Sequence, residues 1–169
     1  MTLVSAERFL ARASLGLCAF SGLLLAVMAV LINVEVVARY LFNTSTLIAD
    51  EYSGYLFVWS TLLAFGYALD SGQFLRVDAV VHRLRGRAKA ASELLAASAG
   101  LAVSGICVYA TWQLFGASWK FGTRSIQPSA TPLWIMQMVL PFSFAWLALL
   151  YVAAIAKIVS GKTGRTNPS

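Results

Sequence analysis

The sequence predicts an all-α integral membrane protein, with four transmembrane helices and a cytoplasmic-side amphipathic interfacial helix between spans two and three. Three observations carry this. The chain of 169 residues is 59% hydrophobic and only 12% charged, with a mean hydropathy of +0.75, more apolar than a soluble domain of that size needs for one core. Its few charges are segregated, leaving four uncharged runs near the roughly 20 helical residues that cross about 30 Å of hydrocarbon. The basic residues, finally, concentrate in alternate connections. In lipid each segment must satisfy its own backbone donors and acceptors, so these runs are helices rather than open strands.

The whole chain, 1–169, reads as a single membrane domain. Span one is expected over 13–40 and follows Arg8 and Arg12. It exceeds a secretory apolar region of about 7–15 residues, and no small-x-small cleavage site closes it before Glu35, so it reads as a retained span. Span two is expected over 48–70, with Asp50 and Glu51 at its start and an uncharged run from Tyr52 to Leu69. In the connection that follows, Val77, Val80, Val81, Leu84 and Ala88 recur on one helical face, predicting the interfacial helix over 76–89. Arg83, Arg85 and Arg87 would snorkel to head groups from it, with Arg76 and Asp78 anchoring its start; an ordinary basic loop is the plainer alternative. Span three is expected over 92–117, with Ala96, Gly100 and Ser104 at intervals that suit close helix approach. Span four is expected over 131–158, starting near Pro132 and kinked at Pro141, which cannot donate an internal hydrogen bond.

Arg8, Arg12, the basic cluster of the central connection, Lys157, Lys162 and Arg165 all lie on one predicted side, so both termini are expected in the cytoplasm. Trp112, Trp119 and Trp134 then fall at the opposite boundary, as an aromatic belt or as packing against neighbours. A net charge of +6 is explained by this topology and by anionic lipid, so no nucleic-acid partner is expected. The single histidine, His82, excludes a bis-histidine haem held by this chain alone. Cys18 and Cys107 lie inside spans without metal or redox spacing, and neither H-E-x-x-H nor a serine–histidine set is present. No catalytic residue, substrate-binding residue, metal or cofactor is expected.

Taken together, Asn33-Val-Glu-Val-Val-Ala-Arg-Tyr-Leu-Phe-Asn43, Glu51, Leu56-Phe-Val-Trp59, Gly66, Arg76-Val-Asp78, Pro132-Leu-Trp134 and Pro141 form an ordered set running through most of the chain. This set resembles the DctQ-type small membrane subunit of tripartite ATP-independent periplasmic (TRAP) transporters. Asp50, Asp70 and Gln73 depart from the commoner family pattern, which leaves local ion pairing open. The resemblance implies a bacterial inner-membrane scaffold or stator beside a large elevator-type membrane subunit. That partner would bind sodium and substrate, and a periplasmic substrate-binding protein would deliver an organic acid or similar small solute.

The residues themselves agree with a scaffold, because an ion pathway needs ionisable groups deep in the membrane and the spans hold almost none. Glu35 and Arg39 are spaced for a helical ion pair at the outer end of span one. Either they stabilise the helix, or with Tyr40, Asn43, Asp50 and Glu51 they face the large subunit or the docked binding protein. For Asp50 and Glu51 the plainer reading is favourable placement at a helix N-terminus. The alternative function is a small self-contained proton-coupled four-helix exporter. That needs a carboxylate well inside a span, whereas Glu35 lies roughly 33 Å along a helix from Arg12.

Overall fold

The computed structural model describes residues 3–42, 48–71 and 87–160. Its helices are α1 (Leu3–Phe42), α2 (Ile48–Asp70), α3 (Arg87–Phe121), the short α4 (Leu133–Gln137) and α5 (Val139–Val159). Among the described residues the one extended pairing is an isolated bridge between Arg124 and Pro132.

Three stretches are long and apolar enough to cross a membrane: Arg8–Phe42, Ala91–Phe121 and Leu133–Val159, the last running through α4 and α5. With 23 residues α2 is long enough, but Tyr52, Ser53, Tyr55, Ser60, Thr61 and Tyr67 dilute its apolar character. Residues 76–86 of the expected interfacial helix, with Arg76, Asp78, Arg83 and Arg85, lie outside the described residues. From Arg87 onward that segment belongs to α3. The 40 residues of α1 extend about 60 Å, roughly twice the hydrocarbon thickness, so this helix overruns the expected span at both ends.

The chief packing pairs are α1 with α2 and α3 with α5, joined by α2 against α5. The helices therefore lie side by side in the order α1, α2, α5, α3. Contacts of α2 with the α4–α5 region run in the same chain direction, from Tyr52 with Thr131, through Trp59 with Met136, to Gly66 against Trp146. The α2 and α5 helices are thus parallel along the length of α2.

The interior combines a few large apolar residues, Leu63, Val139, Leu147 and Leu150, with a larger set of small polar ones. Ser14, Ser21, Ser60, Ser104, Ser118 and Ser143 are buried, while Leu23, Val30, Val34, Ile106 and Phe142 are exposed. Lipid offers no hydrophobic drive between helices, so contact depends on close approach and hydrogen bonding. Accordingly, Ser21 Oγ crosses from α1 to donate to the Ser60 carbonyl at 2.7 Å, and Ser104 Oγ bonds within α3 to the Gly100 carbonyl at 2.7 Å. The bulky side chains face outward, where acyl chains solvate them.

Two glycines admit α5 between its neighbours. A Cβ on Gly66 of α2 would lie 2.7 Å from the indole of Trp146, and one on Gly100 of α3 would collide with the Tyr151 ring. Of the small residues anticipated on α3, Gly100 meets Tyr151 of α5 and Ser104 is buried, whereas Ala96 is exposed and Ala97 takes the buried position. A strict interval of four drifts around a helix of 3.6 residues per turn, and the step from Ala97 to Gly100 corrects the drift.

The fourth long helical stretch is interrupted at Met138, one turn before Pro141 rather than at it. Pro141 has no N–H to donate to the Gln137 carbonyl and its ring crowds that carbonyl, so the irregularity appears on the N-terminal side. Pro141 itself is buried in the first turn of α5.

Gly66→Ala is expected to lower stability in detergent by about 1–3 kcal/mol through overpacking against Trp146. Gly16→Ala, where an added Cβ meets nothing within 4 Å, should be neutral or gain up to about 1 kcal/mol from helix propensity. Thermal or denaturant unfolding distinguishes the two, and an equal response would mean that the indole yields freely.

Candidate functional site at the polar end

A cluster of interacting polar side chains lies at one end of the helices, where α1 stops, α2 starts and the 122–132 loop joins α3 to α4. Glu35 sits on the α2-facing side of α1 and is 6% exposed. One turn later Arg39 Nη2 donates to Glu35 Oε1 at 3.4 Å, with its own side chain about half exposed. The same nitrogen lies 4.0 Å from Asp50 Oδ2, on the exposed first turn of α2. Arg39 thus bridges the two helices, compensating a buried carboxylate on one side and an exposed carboxylate on the other. Exposed pairs of this kind contribute little, but removing the partner of a buried carboxylate is costly.

Glu51 does separate work. It accepts a hydrogen bond from Tyr55 at 2.8 Å and another from Ser129 of the loop. Beside it the Tyr52 hydroxyl pairs with Thr131 Oγ1 at 3.0 Å. Ser129 Oγ also accepts from Thr131 Oγ1 at 2.9 Å, so the loop and the first turn of α2 share one network. Lower down, Trp59 Nε1 donates to the Met136 carbonyl at 3.0 Å, satisfying a backbone acceptor in the last turn of α4.

The loop's own turns present these hydroxyls. Gly122 has φ +58° and Thr123 N–H returns to the Ser118 carbonyl at 3.1 Å, the six-to-one bond by which a left-handed glycine closes a helix. Ser125 N–H then donates to the Thr131 carbonyl at 2.9 Å, and Leu133 N–H to the Thr123 carbonyl at 3.0 Å. The loop is a closed hairpin-like turn docked on α2.

Sequence-predicted positions divide accordingly. Glu35, Arg39 and Asp50 come together; Glu51 is adjacent in sequence but belongs to the loop network. Tyr40 points outward at 84% exposure, and Asn43 lies outside the described residues. Trp119 packs edge-on against Trp134 with ring centroids 4.6 Å apart, yet Trp112 and Trp119 both remain more than half exposed. Packing and boundary exposure therefore coexist at Trp119. Ser129, Thr131, Tyr52 and Tyr55 were not singled out by sequence. The Glu51–Tyr55 spacing was a usable local signal, whereas nothing local links Glu51 to a serine 78 positions away. Among the described residues no cluster of His, Cys, Asp or Glu could hold a metal.

Residues 28–161 match the family described as "Tripartite ATP-independent periplasmic transporters, DctQ component". The chain belongs to the DctQ family. A Haemophilus influenzae protein described as a "Putative TRAP transporter small permease protein" is 38% identical over 61 residues, covering 36% of this chain and 38% of that protein. The chain thus aligns with well under half the length of that curated relative. No solved structure matches. DctQ proteins are a transport component rather than an enzyme family, and with its apolar helices this chain is a multi-pass membrane protein.

In this DctQ chain, Tyr52→Phe deletes only the hydroxyl shared with Thr131 and is expected to cost about 1 kcal/mol of stability. Glu51→Ala removes the acceptor that holds Ser129, so trypsin should cut after Arg124 several-fold faster, with Glu51→Gln intermediate. Unchanged cleavage in Glu51→Ala would show that the carboxylate does not hold the loop.

Proposed function

We propose that this chain is the small scaffold or stator subunit of a sodium-driven, binding-protein-dependent TRAP transporter importing an organic acid or similar small solute. It braces the large elevator-type membrane subunit, which binds sodium and substrate, and helps receive the periplasmic substrate-binding protein. Membership of the DctQ family carries this reading. The distribution of charge supports it: the runs Tyr52–Leu69 and Leu94–Trp119 contain no Asp, Glu, Lys, Arg or His, which suits a support better than a conduit.

On this reading α2 is the fourth span. It lies parallel to α5 and keeps contact with the α4–α5 stretch from Tyr52 to Gly66, and an even number of spans agrees with basic residues at both chain ends. The chain then sits in the bacterial inner membrane with both termini cytoplasmic and the polar end in the periplasm. Arg39, Tyr40, Asp50 and the loop held by Glu51 form the surface offered to the binding protein, with Glu35 holding Arg39 from beneath. Arg39 is suited to that role because half of its side chain stays accessible while two carboxylates fix its position.

Vesicles reconstituted with the large subunit, the binding protein and a sodium gradient should take up solute only when this chain is present; full-rate uptake without it defeats the proposal. Arg39→Glu places a third carboxylate beside Glu35 and Asp50. It should weaken docking of the binding protein, seen as a raised half-saturating concentration, while leaving substrate preference unchanged. An altered preference would mean that this chain lines the pathway.

A further inference from the structure

The outward face of α3 carries two polar groups where lipid cannot satisfy them. Tyr109 is 68% exposed and Gln113, one turn later, is exposed as well. Among the described residues neither the Tyr109 hydroxyl nor the Gln113 amide has a hydrogen-bond partner. Both lie on the side of α3 opposite Ala97, Gly100, Ser104 and Ser118, the residues that turn inward.

Their depth makes this informative. With Trp119 and Lys120 at the boundary, Gln113 lies about 10 Å and Tyr109 about 16 Å along the helix from Lys120 at 1.5 Å per residue. That places the hydroxyl near the middle of a layer about 30 Å thick, beyond the reach of a tyrosine toward head groups. An amide and a hydroxyl left bare in hydrocarbon are costly, whereas both are favourable across a helix–helix contact. Gly105 and Gly116 share this face, and an added Cβ at either would meet nothing within 4 Å. A neighbouring backbone can therefore come close on both sides of the polar pair.

The corresponding stretch of α1 is different. Its exposed Leu23, Val27, Val30 and Val34 are wholly apolar, and the exposed Asn33 amide donates back to the Ala29 carbonyl at 2.7 Å. Acyl chains suffice there.

We infer that the Tyr109–Gln113 face of α3 docks a membrane-spanning helix of the large transporter subunit, one that presents small residues and a hydroxyl or amide side chain at this depth. The inference rests on the small-subunit reading and names the surface on which the bracing occurs. The bracing subunit then meets its partner at the α3 edge of the row, and α1 forms the lipid-facing edge.

The test uses the two membrane subunits co-expressed and purified together. A photo-crosslinking amino acid in place of Tyr109 or Gln113 should give an adduct with the large subunit, and one in place of Val27 should not. The double substitution Tyr109→Phe with Gln113→Leu should reduce recovery of the large subunit several-fold while the helical content of this chain is unchanged. Lipid adducts alone at both positions, or an adduct of two copies of this chain, overturn the inference while the large subunit still co-purifies. Failure of the native chain to co-purify with the large subunit removes the small-subunit reading itself, and this surface with it.

Discussion

Close backbone approach between helices, made possible by glycine and serine, is the constraint on which the rest of this structure depends. In a soluble protein the burial of leucine and valine would hold helices together, but in lipid those side chains gain nothing by turning inward. The chain follows that logic. Serines recur among its buried positions beside a few leucines, a valine and two alanines, whereas most of its leucines, valines and phenylalanines are not buried. The hydrogen bond from Ser21 to the Ser60 carbonyl joins α1 to α2, and the notches at Gly66 and Gly100 let α5 settle between α2 and α3.

That arrangement determines what the polar end can do. Because α5 is held between two neighbours by Trp146 and Tyr151, the loop leading into it is presented at a fixed height beside the first turn of α2. Glu51 and Tyr52 then capture its hydroxyls, while Trp59 supports the α4–α5 interruption that Pro141 imposes. Arg39 completes the surface from the α1 side. The polar end is therefore one assembled surface: α1 contributes the Glu35–Arg39 pair, α2 two further acids and two tyrosine hydroxyls, and the α3–α4 loop Ser129 and Thr131.

Much of this was legible in the sequence because membrane constraints act locally. Run length and charge spacing marked the long helices, the i to i+4 interval marked Glu35 with Arg39, and Pro141 marked the irregular start of α5. What was not legible depends on partners distant in the chain. Ser129 is an ordinary loop serine until it meets Glu51, and Gly66 is an ordinary glycine until Trp146 covers it. The displacement of the break to Met138 shows the intermediate case, where a local rule identifies the cause and the geometry of the missing donor sets the place.

The same polarity rule that organises the interior separates the two edges of the helix row. An apolar face in a membrane protein is satisfied by acyl chains as well as by protein, so the valines of α1 require no protein neighbour. A polar group at depth does require one, since only another protein group can satisfy it there. The inward-facing serines meet that demand within the chain where they bond to carbonyls, as Ser104 does with Gly100. Tyr109 and Gln113 carry the same demand outward on α3. A four-helix row finished on its α1 side and unfinished on its α3 side is the shape expected of a part made to be completed by a larger membrane neighbour.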